Sequence, residues 1–257
     1  MNESCKKIRK DILAISRTSG HGHIPSCFSV VESLCGIYET MKHFPSDPRS
    51  PERDIFILSK GHAALAHYCV LAHYGYFNIA RVNSFGAYCA DFGCHADRLK
   101  VPGVEASTGS LGHGIGLAAG MALAFKIQGN GRRTFTIIGD GESNEGSVWE
   151  AVMVAVNENL SNLTIIYDNN VSQTRGLQIS NPHERFSAFG CDCIEVDGHN
   201  LDAIKQILLR SSDKVKVIVA NTKKGFGSKT LEDNFHAWHR RSPSEEEFKT
   251  ILGELDA

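Results

Sequence analysis

The stretch TFTIIGDGESNEGSVWEAVMVAVNENLSNLTIIYDNNVS, residues 134–172, decides the fold of this chain. Its first five residues, 134–138, form a short apolar run that predicts a strand, and a Gly-Asp-Gly turn ends it. The pattern of 147–159 predicts a helix, and 163–167 reads as a second buried strand. A strand, a helix and a second strand in this order predict two parallel strands joined by a right-handed crossover.

Three further segments extend this unit to either side. Residues 54–58, 193–196 and 215–220 each predict a short strand. Helices are predicted over residues 3–17, 29–41, 61–73, 115–128 and 201–209, and the Gly-rich residues 84–110 predict a loop. The expected fold class is therefore α/β, a parallel sheet with helices on both faces. No linker-like segment divides the chain, so we expect residues 1–257 to form a single domain.

Composition excludes several classes of protein. The 257 residues are 42% hydrophobic and 22% charged with a net charge of −2, which is typical of a globular chain and gives no basic excess for nucleic acid or anionic membrane. The longest apolar stretch, residues 114–127, is too short to span a bilayer, and the N-terminus lacks a signal-peptide core. Eight cysteines without a C-x-x-C pair do not indicate a disulfide framework or a zinc site. We expect a cytoplasmic protein.

Polar residues follow the two strands of the central unit. The first loop is Gly139-Asp140-Gly141-Glu142, and the second runs from Asp168 to Ser172. Ligands of open parallel sheets bind beyond the carboxyl ends of the strands, where both loops should lie. Carboxylate and amide oxygens are hard ligands that suit Mg²⁺ or Ca²⁺, so Asp140 and Asn170 can converge on one ion.

The spacing of these loops resembles a known motif. Gly139-Asp140-Gly141, 27 residues and then Asn169-Asn170 resemble the thiamine diphosphate motif of transketolase-like enzymes. In that family the aspartate, the final asparagine and a main-chain carbonyl two residues later bind the Mg²⁺ that bridges the diphosphate. The resemblance therefore implies Asp140, Asn170 and the Ser172 carbonyl as metal ligands, with Ca²⁺ or Mn²⁺ as possible substitutes.

The resemblance continues over nearly the whole chain. Its histidine motifs match residues 22–24, 58–62, 93–95 and 238–243 and imply four catalytic residues, His23, His62, His95 and His239. The resemblance further implies a set of cofactor-binding residues: His62, Gly109, Ser110, Leu111, Gly139, Asp140, Gly141, Glu142, Glu145, Asn170 and His239. Within this set, Glu145 matches a glutamate at the subunit contact. Imidazoles suit a sugar site, because they can donate and accept hydrogen bonds and transfer protons near neutrality.

Two competing motifs fit less well. Residues 114–119 have the form G-x-G-x-x-A of a dinucleotide fingerprint, but no predicted strand precedes them. Residues 223–227 contain two lysines and two glycines without the spacing of a P-loop, and we expect them at the rim of the cofactor site.

The family resemblance also implies a missing partner. Long transketolases carry two further domains, a pyrimidine-binding domain and a C-terminal domain, and the first of these supplies the glutamate that activates the cofactor. This chain resembles only the thiamine diphosphate-binding part, so we expect a heterotetramer with a separate C-terminal subunit, and ketol transfer between sugar phosphates. The alternatives are the alpha subunit of a 2-oxo acid dehydrogenase and a non-catalytic cofactor-binding regulatory subunit. The four histidine loops favour a sugar substrate.

Overall fold

A five-stranded parallel sheet forms the centre of the molecule. The computed structural model describes residues 1–174 and 176–257. In the order β1-β2-β3-β5-β4 all neighbouring strands are parallel. The strands are β1 Ile55–Leu58, β2 Thr134–Gly139, β3 Leu163–Asn169, β4 Asp192–Asp197 and β5 Lys216–Asn221. The predicted fold class is confirmed.

Helices cover both faces of this sheet. Alternate residues of β2 and β3 enter two separate hydrophobic clusters, with Ile137 and Ile166 in one and Ile138 and Ile165 in the other. Strands buried on both faces need no polar alternation, which explains their continuous apolar runs. The helices are α1 Glu3–Ser19, α2 Ile24–Phe28, α3 Val31–Thr40, α4 Ala64–His73, α5 Gly114–Gln128, α6 Gly146–Asn157, α7 Pro182–Ala188, α8 Leu201–Leu209, α9 Lys229–Asp233 and α10 Glu245–Asp256.

The helices differ from the sequence prediction at several boundaries and in their number. The helix predicted over 29–41 begins two residues later, and the short helix α2 precedes it, with Pro25 in its first turn. The helix predicted over 61–73 opens with a 3-10 turn, Gly61–Ala63. We did not predict α7, α9 or α10, although Ser244 and Glu247 form a capping box at the start of α10, a pattern that the sequence shows.

The strand register brings the two predicted loops together. Gly139 at the end of β2 pairs with Asp168 near the end of β3, so the chain leaves both strands at one edge of the sheet. β5 lies on the other side of β3, where Asn169 pairs with Asn221. Residues that follow β5 therefore reach the same edge. Within residues 1–174 and 176–257, no helix is long and apolar enough to cross a membrane.

Candidate active site

Asp140 and Asn170 converge on a single backbone amide. The Ser172 N–H donates to Oδ2 of Asp140 at 2.5 Å and to Oδ1 of Asn170 at 3.1 Å. The Ser172 hydroxyl adds a bond to Asp140 Oδ1 at 2.6 Å. Val171, between Asn170 and Ser172 in the chain, has φ +54°, a left-handed conformation that is costly for a β-branched residue. The strained turn thus places two oxygen-bearing side chains side by side, as the sequence predicts.

A buried carboxylate fixes the orientation of Asn170. The Asn170 amide donates to Asp168 Oδ2 at 2.7 Å, which leaves its Oδ1 facing Ser172. Burial alone would raise the pKa of Asp168, but the Lys60 ammonium beside it holds that pKa below its usual value. The same carboxylate accepts hydrogen bonds from the Ser29 and Thr222 hydroxyls. Asp168 therefore joins segments from four parts of the chain beneath the two loops.

Glu142 joins two other segments to its own loop. Its carboxylate accepts hydrogen bonds from the Ser59 hydroxyl, from the Gly112 N–H at 2.9 Å and from the Gly139 N–H at 3.1 Å. Burial raises its pKa. Because these donors occupy both oxygens, Glu142 shapes the wall of the site through the backbone of Gly112 and Gly139.

Three of the predicted histidines form a cluster. The ring centroid of His23 lies 5.6 Å from that of His62 and 5.0 Å from that of His239. Burial and the neighbouring His239 lower the pKa of His23 to about 4, and burial and Lys60 lower that of His62 well below its usual value. Burial and Lys224 also lower the pKa of His239. The three rings are neutral at pH 7, so each can donate one hydrogen bond and accept another.

These groups line one cavity of about 640 Å³. Besides the three clustered histidines, the predicted residues in its wall are His95, Gly109, Leu111, Gly139, Asp140, Gly141, Glu142, Asn170 and Ser172. Ser110 and Glu145 are both exposed and lie outside this wall, although they were predicted to bind the cofactor. Glu145 instead occupies the N-cap position of α6. Glu145 is therefore away from the cavity, and its role at a subunit contact stays a prediction.

Several wall residues were not predicted individually. They are Lys60, Gln173, Lys224, His236 and Arg240. Lys224 is 7% exposed and, among the described residues, its ammonium has no hydrogen bond or ion pair; it lies over the Phe235 ring. Burial and Lys60 lower its pKa to about 8. A buried cation of this kind favours an anionic ligand. The sequence placed only the run 223–227 at the rim of the site.

The donor set suits a hard divalent cation that bridges a phosphate group. Asp140 offers a carboxylate, Asn170 an amide oxygen and Ser172 a backbone carbonyl, and oxygen ligands are those that Mg²⁺ prefers. Gly141 lines the same wall, where a Cβ would come within 2.5 Å of Gln173 Nε2. The residues present therefore fit a metal–diphosphate group.

The fold and this cavity define the class of the protein. Residues 2–254 match the family described as "Transketolase, thiamine diphosphate binding domain". The chain belongs to the transketolase family of transferases.

Its relatives fall into two groups of different length. The chain is 35% identical to one subunit of the apulose-4-phosphate transketolase of Actinobacillus succinogenes over 99% of this chain and 95% of that protein. It is 38% identical to the 6-deoxy-6-sulfo-D-fructose transketolase subunit SqwG of a Clostridium species over 97% and 94% of the two chains. The crystal structure of Campylobacter jejuni transketolase superposes on this chain with a TM-score of 0.90 at 26% identity. The match covers 100% of this chain and 43% of the Campylobacter jejuni chain.

Two glycines make a matched test of the loop packing at this site. A Cβ on Gly61 would lie 2.8 Å from the backbone of Gly109, whereas a Cβ on Gly116, on the exposed side of α5, meets nothing within 4 Å. We expect Gly61→Ala to destabilise the protein by about 1–3 kcal/mol because backbone cannot move aside cheaply. Gly116→Ala should stabilise it by about 0.5–1 kcal/mol through helix propensity. Chemical denaturation measures both; equal midpoints for the two variants would contradict the close approach of the loops.

Proposed function

We propose that this chain is the N-terminal, thiamine diphosphate-binding subunit of a split transketolase. Its reaction would be the Mg²⁺-dependent transfer of a two-carbon ketol unit from a ketose phosphate to an aldose phosphate. The observation that carries this proposal is the convergence of Asp140 and Asn170 on the Ser172 amide, in the wall of a cavity that also holds a histidine cluster.

The cofactor would lie along the loops after β2, β3 and β5. Asp140, Asn170 and the Ser172 carbonyl would hold Mg²⁺, and the Lys224 ammonium would neutralise a diphosphate oxygen. Asp168 holds the Asn170 NH₂ group, which leaves the oxygen of that side chain beside the Ser172 N–H, where it could bind the ion. When bound, thiamine diphosphate supplies an electron sink for cleavage beside a ketose carbonyl.

The histidines would serve the sugar. Neutral His23, His62 and His239 can each accept a proton from a sugar hydroxyl at one ring nitrogen and return it later, while the other ring nitrogen donates a hydrogen bond to a sugar oxygen. The backbone N–H of His23 donates to the backbone carbonyl of His239 at 3.1 Å, and this bond joins the two loops that carry these rings. His95, exposed beside Gly109 in the cavity wall, would contact the sugar from the opposite loop.

The proposal includes a partner chain. Helix α5 is apolar around almost its whole circumference, a composition typical of buried helices. Its residues Leu117 and Ile127 are 49% and 77% exposed, and Met153 and Val154 on the adjacent α6 are 49% and 53% exposed. We propose that the C-terminal subunit, with the pyrimidine-binding and C-terminal domains, covers this surface in a heterotetramer. We also propose that residues 1–257 of this chain form one domain.

We propose a cytoplasmic location for this chain. All eight cysteines are free in the described part of the chain, and a cytoplasmic location would keep them so.

An assay of two-carbon transfer tests the proposed function. The chain, its partner, thiamine diphosphate and Mg²⁺ are incubated with a ketose phosphate and an aldose phosphate, and products are identified by mass spectrometry. We expect the ketose to be shortened by two carbons and the aldose lengthened by two. Release of carbon dioxide from a 2-oxo acid, without any exchange between sugars, would contradict the proposal and favour the 2-oxo acid dehydrogenase alternative.

A further inference from the structure

Unlike the buried Lys60 and Lys224, a further cation of the cavity wall, Arg240, is exposed to solvent. Arg240 lies beside His23 and His239 in this wall. Within residues 1–174 and 176–257, its guanidinium has no hydrogen bond or ion pair, whereas the adjacent Arg241 bonds to Glu247 and stacks on Trp238 with 3.7 Å between guanidinium carbon and ring centroid. Two neighbouring arginines thus differ: one is engaged in the fold, and the other is available to a ligand.

The backbone holds Arg240 firmly in this position. A Cβ on Gly22 would come within 2.4 Å of the Arg240 carbonyl carbon and 2.6 Å of the Arg241 oxygen, so the two loops are in direct backbone contact. The His23 N–H bond to the His239 carbonyl closes the same contact. Because its backbone is fixed, only the Arg240 side chain has to be ordered when it binds a ligand, which lowers the entropic cost of recognition.

The charge of Arg240 acts on the sugar end of the cavity. The pKa of His23 is lowered by burial first and by His239, His95 and Arg240 after that, and Arg240 also contributes to the lowered pKa of His239. Lys224, by contrast, is buried, and the carboxylates that act on its pKa are Asp140 and Asp168. Lys224 therefore lies near the proposed metal ligands and also acts on the histidines, whereas the charge of Arg240 acts on His23 and His239.

We propose that Arg240 is a specificity-determining residue that binds the terminal oxyanion, phosphate or sulfonate, of the ketose substrate. A guanidinium matches a tetrahedral oxyanion with two parallel hydrogen bonds, and an exposed position suits the end of a sugar chain that leaves the cavity. This inference rests on the proposed function and adds that this chain contributes to anion recognition through its own side chain.

Three variants and three ketoses test the proposal. Arg240→Ala, Arg240→Lys and the matched control Arg241→Ala are assayed in the complete complex with D-fructose 6-phosphate, 6-deoxy-6-sulfo-D-fructose and neutral D-fructose. We expect Arg240→Ala to lower the preference for an anionic over the neutral ketose, as a ratio of kcat/KM values, by about 10- to 100-fold, mainly through KM. Arg240→Lys should restore part of the preference, and Arg241→Ala should leave it unchanged.

The outcomes separate the two levels of the proposal. A loss confined to the phosphate or to the sulfonate identifies which oxyanion Arg240 selects, and both support the inference. If the unmodified complex exchanges ketol units and Arg240→Ala keeps the full preference, or if Arg241→Ala loses it equally, the role of Arg240 is wrong and the proposed function remains. If the unmodified complex transfers no ketol unit from any ketose, both fail.

Discussion

Replacing Asp140 by Ala should abolish Mg²⁺-dependent retention of thiamine diphosphate. In the structure Asp140 accepts bonds from the Ser172 N–H and hydroxyl and from the Gly141 N–H at 2.8 Å, so it organises the loop after β3 as well as offering a ligand oxygen. Loss of an outer partner of a metal ligand costs about 10- to 100-fold in affinity, and loss of the ligand itself should cost more. Isothermal titration of the cofactor, with Mg²⁺ and with EDTA, measures the effect.

Asn170 and Asn169 provide a matched control for this prediction. Asn170 lines the cavity and is 4% exposed, whereas Asn169 bonds to the Asn221 side chain at 2.7 Å and is absent from the cavity wall. We expect Asn170→Ala to lose metal-dependent binding and Asn169→Ala to keep it. Undiminished binding by Asp140→Ala with a normal unfolding midpoint would show that the metal ligands were assigned wrongly.

The chain without its partner should show no transketolase turnover, and addition of the partner should restore it. Family resemblance assigns activation of the cofactor to a glutamate of the pyrimidine-binding domain. Among the described residues of the cavity wall, the carboxylates are Asp140 and Glu142, and backbone amides occupy both of them. Neither is available to protonate a pyrimidine ring. The measured quantity is the rate of two-carbon transfer at saturating cofactor and Mg²⁺.

Two controls define the outcome of this experiment. The partner alone should be equally inactive, because the proposed metal ligands lie on this chain, and a mixture made with Asp140→Ala should stay inactive. Full turnover by the purified chain alone would refute the split-site proposal. Cofactor binding by the chain alone is compatible with either result, so turnover and binding must be measured separately.

The convergence of Asp140 and Asn170 could be predicted because it depends on local order. Two parallel strands joined by one helix lie side by side in most cases, and their carboxyl ends then face the same edge. The ends of β2 and β3 meet in the structure with Gly139 opposite Asp168, as that argument requires. The histidine positions, in contrast, depended on resemblance, since a histidine after glycine has no intrinsic preference for a site.

The cations of the cavity were harder to predict because of strand order. β5 inserts between β3 and β4, which no local pattern specifies, and this insertion brings Lys224 to the cavity wall. Arg240 lies further along the chain, and its position is set by contact with Gly22 near the other end of the sequence. Such placement results from long-range packing, whereas the composition of residues 223–227 indicated only a turn with positive charge.

The buried carboxylate of Asp168 should limit how the segments that bind to it can move. Ser29, Lys60 and Thr222 donate to it from segments that are distant in sequence, and Asn170 donates from the adjoining loop. If any one donor moves away, a charged or polar group is left unpaired in the buried interior, and this costs free energy. These segments should therefore open together rather than one at a time. Fluctuations that expose the proposed metal ligands would then require cooperative sub-global opening, and exchange of the proposed cofactor would be slow compared with the motion of the surrounding surface loops.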